Sequence, residues 1–188
     1  MDKNTQKLLD TAQIKNTLEQ EFSLTLAQRI ERCLELKPHG IIAYSHFAAV
    51  SSETYNLYRD GHFYGTISLA QAVAEALVKF LCERNGWSPN ENYEKNVKQL
   101  ETRGKITHEQ AKLFTKIWKG RNDYHHLNPS IEQDKKKLEL QAKEKLESLG
   151  EIEADIFAYT VKEGKLIPKN PKYWDMKDNM ISTYLRLG

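Results

Sequence analysis

The chain is poor in several things, and each shortage excludes a class. Only two cysteines occur in 188 residues, Cys33 and Cys82, far apart in sequence. That leaves out a disulfide framework and a thiolate zinc cluster, and it suits a reducing, cytoplasmic setting. No run of 18 apolar residues is present, so no membrane span is expected. Residues 1–6 lack the charged and apolar regions of a signal peptide. Neither charge sign dominates: 28 Lys and Arg stand against 26 Asp and Glu, for a net charge of +2. No global field therefore draws the protein to nucleic acid, and any RNA contact needs a local basic patch. A glycine-rich phosphate loop, a Gly-x-Ser-x-Gly elbow and zinc-spaced histidines are all missing, as are repeats and low-complexity linkers. No cofactor or metal is implied.

What is present is helical pattern. Hydrophobic residues make up 39% and charged residues 29%, enough for one buried core under a charged surface. Residues 3–36 carry a broken apolar periodicity. They read as an N-terminal extension, residues 1–40, of one or two helices that either pack on the main body or exchange with a partner. Pro38 and Gly40 stop it. Residues 41–60 place Ile41, Tyr44, Phe47, Ala48, Ser51, Tyr55 and Tyr58 on one face, with Gly61 as a C-terminal cap. Residues 63–85 hold the strongest stripe, running from Phe63 through Leu77 to Leu81. Its alanine-rich middle invites close helix approach. A short helix is expected over 93–101, and Thr107 caps another over 107–124. Asn128 or Ser130 is set to cap a long helix over 130–159, which Gly150 kinks or splits. The tail, 161–188, reads as an irregular strap ending in a short helix. The expected fold is all-α: an antiparallel bundle over 41–160 with an N-terminal helical extension and an irregular C-terminal tail.

Chemistry-bearing residues concentrate at Gly120-Arg121-Asn122-Asp123-Tyr124-His125-His126-Leu127-Asn128-Pro129. Arginine offers two oxygens of a phosphate a planar, permanently charged fork. Histidine titrates near neutrality and serves as base or acid. Residues five apart on an ideal helix differ by about 140° around the axis, so Arg121 and His126 share a direction only if the helix ends between them. Arg121 and His125, four apart, share a face. Capping and local ion pairing by the same residues is the ordinary alternative.

Arg121-Asn122, three residues and His126 resemble the signature of the HEPN superfamily, an arginine followed four to six residues later by a histidine at the end of a bundle helix. Glu75 and Lys79, with three residues between them, resemble a pair found on the second helix of many members. An ordinary surface ion pair at this spacing is the competing reading. The resemblance implies a metal-independent endoribonuclease acting in phage defence or as a toxin component. It also implies a homodimer whose two motifs form one site, an RNA substrate and a regulatory protein partner. Arg121, His126 and Asn122 are then the catalytic set, with His125, Tyr124, Asp123, Glu75 and Lys79 as further candidates. Some members carry a modified tyrosine two residues past the histidine; Asn128 holds that place here. A reading from another class is a non-catalytic module of the same shape that binds nucleotide or protein. Lys135-Lys136-Lys137 reads as a solvated face or as an RNA contact.

Overall fold

The computed structural model describes residues 2–177 and 180–186. The chain is mostly helical, with small antiparallel sheets formed by its tail and by a short strand between the first two helices. Its helices are α1 (Lys3–Glu35), α2 (Ala48–Arg59), α3 (Phe63–Arg84), α4 (Tyr93–Thr102), α5 (His108–Trp118), α6 (Arg121–His126) and α7 (Lys135–Ile156).

The centre is α3. Ile67, Ala70, Ala74, Leu77, Val78 and Leu81 are all fully buried there, and α2, α4, α5, α6 and α7 touch it. The stripe of small and branched side chains gives this helix several close neighbours, where a single-faced helix would have one. It is also long and apolar enough to pass as a membrane span, with a mean hydropathy of 1.3 over 18 residues, but 61% of that stretch is buried inside the protein. Helix α7 runs unbroken through Gly150. The hydroxyl of Tyr55 closes on that glycine, where a Cβ would lie 3.0 Å from the oxygen. Gly150 therefore serves close approach and makes no kink.

Several expectations are corrected. Residues 41–60 are not one helix: Ile41–Ala43 form strand β1, and α2 begins only at Ala48. The tail is neither irregular nor helix-ended. Its strands β2 (Tyr159–Lys162) and β3 (Lys165–Pro168) form a hairpin, followed by a 3-10 turn at Pro171–Tyr173, β4 (Asp175–Lys177) and β5 (Met180–Leu185). Strand β5 lies between β4 and β1, pairing Ile42 with Tyr184 and Met176 with Ile181. The all-α description thus gives way to a helical body with a small sheet. The N-terminal extension is one helix of 33 residues, and it does not lie along the bundle. Every residue from 3 to 24 is exposed, and Arg32 is the buried residue of α1. At this foot, Arg32 pairs with Glu139 of α7 at 2.6 Å, and Arg29 pairs with Asp60 at 3.2 Å.

The side chain of Arg186, in the tail, enters the core. After β5, Arg186 inserts a side chain that is 1% exposed against Glu153 of α7, itself 0% exposed. The guanidinium donates to both oxygens of Glu153, at 2.7 and 2.8 Å, and to Ser51 Oγ at 2.7 Å. Ser51 in turn donates to Glu153 at 2.7 Å. A charge buried this deeply persists only when paired and hydrogen-bonded, as here.

Candidate functional site

The helix expected over 107–124 is broken. Thr107 does cap it, in a reciprocal capping box with Gln110. But α5 ends at Trp118, Lys119 turns extended, and Gly120 takes a left-handed φ of +75°. That conformation strains side chains other than glycine's. The chain then restarts as α6, so Arg121 begins a short helix where it was expected to sit at the end of a long one.

Two side chains hold the break by taking the carbonyls that α5 leaves open. Gln71 of α3 donates to Ile117 and Lys119 at 3.2 and 3.3 Å. Lys145 of α7, 6% exposed, donates to the same carbonyls at 2.6 and 2.9 Å and to Lys116 at 3.4 Å. Burial lowers its pKa to about 8. Nothing in the sequence marks Lys145, since a lysine in a charged, amphipathic helix reads as solvated. Its neighbours Ala142, Leu146 and Leu149 are the only hint that it stands on the inner face.

Past the break, some candidates stay free of local bonds among the described residues and others are taken up in holding the loop. The Arg121 guanidinium lies over the Trp118 ring at 5.3 Å, and its Nε is buried with no hydrogen-bond partner among the described residues. Trp118 is itself stacked on Tyr93, 4.0 Å away and 11° from parallel. Tyr93 is fixed by donating to the Phe114 carbonyl at 3.1 Å, and burial, followed by the charge of Glu75, drives its pKa well up. Asn122 is exposed beside Arg121.

Asp123 and Tyr124 are occupied structurally. Asp123 accepts from Asn128 at 3.1 Å and from Ser130 at 3.0 Å, and these bonds hold its carboxyl below the usual range. Asn128 and Ser130 therefore close the loop after α6 and do not cap α7. That cap is Asp134, which accepts from the Lys137 amide at 2.9 Å. Tyr124 is buried, with its ring 6.3 Å from that of Tyr64 and its hydroxyl on Gln141.

His125 and His126 are both exposed on α6. Because α6 extends through His126, the helix does not end between Arg121 and His126, and His125 is the histidine on the Arg121 side. Its pKa is lowered, first by the partial desolvation of its ring, then by the Arg121 charge, with Glu75 opposing. Glu75 is bound to Lys79 at 2.7 Å, so the pair on α3 forms a salt bridge near the motif.

A groove of about 1090 Å³ opens along α4 and α5 and reaches Gly120, Arg121 and Asn122. Lys98, Lys112, Lys116 and Lys119 line it, with Glu94, Glu101 and Asp123 as the acids. Lys98 of α4, Lys112 and Lys116 of α5 and Lys119 just past it, with Arg121, give the groove a local excess of basic residues that the near-neutral total charge conceals. Among the described residues no group of three His, Cys, Asp or Glu is placed to hold a metal ion.

The chain matches no family model, no curated protein and no solved structure.

Proposed function

We propose that the protein is a metal-independent endoribonuclease of the HEPN type. The observation that carries this reading is Arg121 over Trp118 at the head of a lysine-lined groove, with two histidines on the same short helix. A single RNA strand laid in the groove would set its phosphates against the lysines. Trp118 and Tyr93 would offer a base an aromatic edge, as in other single-strand binding sites.

In the proposed reaction a histidine removes the ribose 2′-hydroxyl proton. The 2′-oxygen attacks phosphorus, and the 5′-oxygen leaves with a proton from an acid. The products are a 2′,3′-cyclic phosphate and a 5′-hydroxyl. Arg121 clamps the non-bridging oxygens as charge gathers on them. His126, at the spacing of the family signature, is the proton carrier. Since α6 turns it about 140° from Arg121, it works with the arginine of a second copy in a homodimer. His125 is the rival for the same role, favoured by lying on the Arg121 side of α6. Asn122 steadies the phosphate, and the Glu75–Lys79 pair tunes the field around the histidines. Roles in phage defence or as a toxin, and control by a protein partner, belong to this proposal through the resemblance alone.

The test is incubation of the purified chain with end-labelled RNA in EDTA. Cleavage leaving cyclic phosphate ends, abolished in Arg121→Ala with folding intact, is the expected result. RNA left whole by the wild type at high enzyme concentration overturns the reading. The non-catalytic module would then take its place, in line with the acids Glu94, Glu101 and Asp123 that partly offset the lysines.

A further inference from the structure

Three stretches far apart in sequence meet at the foot of α1. Arg32 and Cys33 come from its last turn, Ser52 and Tyr55 from one face of α2, and Arg186 from the tail. Between them lies a pocket of about 320 Å³, the size of a small ligand.

Its charge is one-sided. Four cationic side chains, Arg32, Lys37, Arg59 and Arg186, line it, and no Asp or Glu does. The acids stand behind the arginines: Glu139 on Arg32, Asp60 on Arg59 and Glu153 on Arg186. Asp60 also holds Arg29. Five cations against three carboxylates leave this network with two positive charges to spare. The neighbouring Glu35–Lys143 pair cancels itself.

The lining also holds two donors taken out of water without an acceptor. Arg186 spends Nη1 and Nη2 on Glu153 and Ser51, and its Nε is buried with no hydrogen-bond partner among the described residues. The Ser52 hydroxyl is buried in the same condition. A ligand that supplies acceptors removes the cost of burying such donors unpaired. The rest of the wall is carbon. The hydroxyls of Tyr55 and Tyr58 are engaged by the Leu146 carbonyl and by Glu35, so these residues contribute their rings, beside Leu36 and Pro38.

We propose that this pocket binds a small aromatic phosphomonoester. Its phosphate, with a charge of about −1.5 to −2 at neutral pH, matches the two spare positive charges. Arginine forks and the Ser52 hydroxyl suit its oxygens, and the ring lies against Tyr55 and Leu36. A carboxylate would neutralise half of the excess, and a polyphosphate would overfill the space. The pocket shares no residue with the groove along α4 and α5, so the proposal stands whether or not the protein cleaves RNA.

The test is calorimetric titration of the full chain with phenyl phosphate. A Kd of about 1 mM or tighter is expected for a ligand of this size. Benzoate, which keeps the ring, and inorganic phosphate, which keeps the charge, should each bind roughly tenfold more weakly. Lys37 is exposed, and Lys37→Glu should weaken phenyl phosphate about tenfold without lowering the melting temperature. Ser52→Ala should bind about fivefold more weakly yet melt no lower than the wild type, because it deletes a buried donor that has no partner. Lys112→Glu, in the α5 groove, should bind as the wild type does. Cys33 supplies a second readout. It is exposed at the pocket while Cys82 is buried, so iodoacetamide reports on Cys33, and phenyl phosphate should slow its alkylation. Absence of binding at roughly 10 mM overturns the proposal. So does inorganic phosphate or benzoate binding as tightly as phenyl phosphate, binding that is lost in Lys112→Glu and kept in Lys37→Glu, or alkylation of Cys33 at an unchanged rate.

Discussion

Lys145 reaches from the middle of α7 to the carbonyls of Ile117 and Lys119 and finishes the last turn of α5 with its ammonium group. The motif depends on this contact, because the direction in which Arg121 leaves Gly120 follows from where α5 stops. Lys145→Met should cost about 1–3 kcal/mol in denaturant unfolding, the penalty for leaving buried carbonyls without donors. The pH dependence tests the same contact. Folding lowers this lysine's pKa from 10.5 to about 8, so between those values the unfolded chain binds more protons than the folded one. Wild-type stability should therefore gain on that of Lys145→Met as pH rises through this window. A gap that stays constant from pH 7 to 10 would mean the ammonium is not held as described.

The two histidines make a sharper pair. His126→Ala should lose about a hundredfold or more in RNA cleavage, the contribution of a positioned acid or base, while His125→Ala keeps most of its rate. The reverse outcome assigns the proton transfer to the Arg121 face of α6. His125 also carries a signal independent of activity. Its pKa lies below the usual 6.5, so its neutral form is favoured by the fold, and stability drains as pH falls below that value. His125→Gln should remove this part of the acid sensitivity, read as a flatter melting temperature between pH 7 and 5.

Arg186 and Glu153 test the closure of the core. Arg186→Met should cost about 3–5 kcal/mol, since it leaves a carboxylate uncompensated at 0% exposure. The double variant Arg186→Met with Glu153→Leu should recover most of that loss, because an apolar pair needs no desolvated charge. A double variant no more stable than the single one would show that the strand itself, and not the ion pair, binds the tail.

Legibility in the sequence followed the range of the forces involved. The stripe of α3 was plain, and its expected span of 63–85 matches Phe63–Arg84. Thr107 was readable as a cap because capping is settled within four residues. Strand β1 was not, since three residues have no period. Its partner β5 lies at the far end of the chain, and its residues continued the apparent helical face of Phe47 and Tyr55 by coincidence. At the motif, Gly120 was visible but its left-handed turn was not, because the groups that enforce it, Gln71 and Lys145, come from two other helices. Asp134 lost to Asn128 and Ser130 as the expected cap of α7 for a related reason: both are drawn to the Asp123 carboxylate. The buried pair of Glu153 and Arg186 was not legible, since burial in pairs leaves no mark on either residue alone.

The position of Arg186 bears on how the protein is made. Synthesis delivers Ser51, Tyr55 and Glu153 well before Arg186, the cation that pairs with Glu153 in the finished core. Until Arg186 has been made, the cleft between α2 and α7 must stay wet or hold its glutamate protonated. A chain that stops short of Arg186 thus carries an unfinished core although every helix from α1 to α7 is complete.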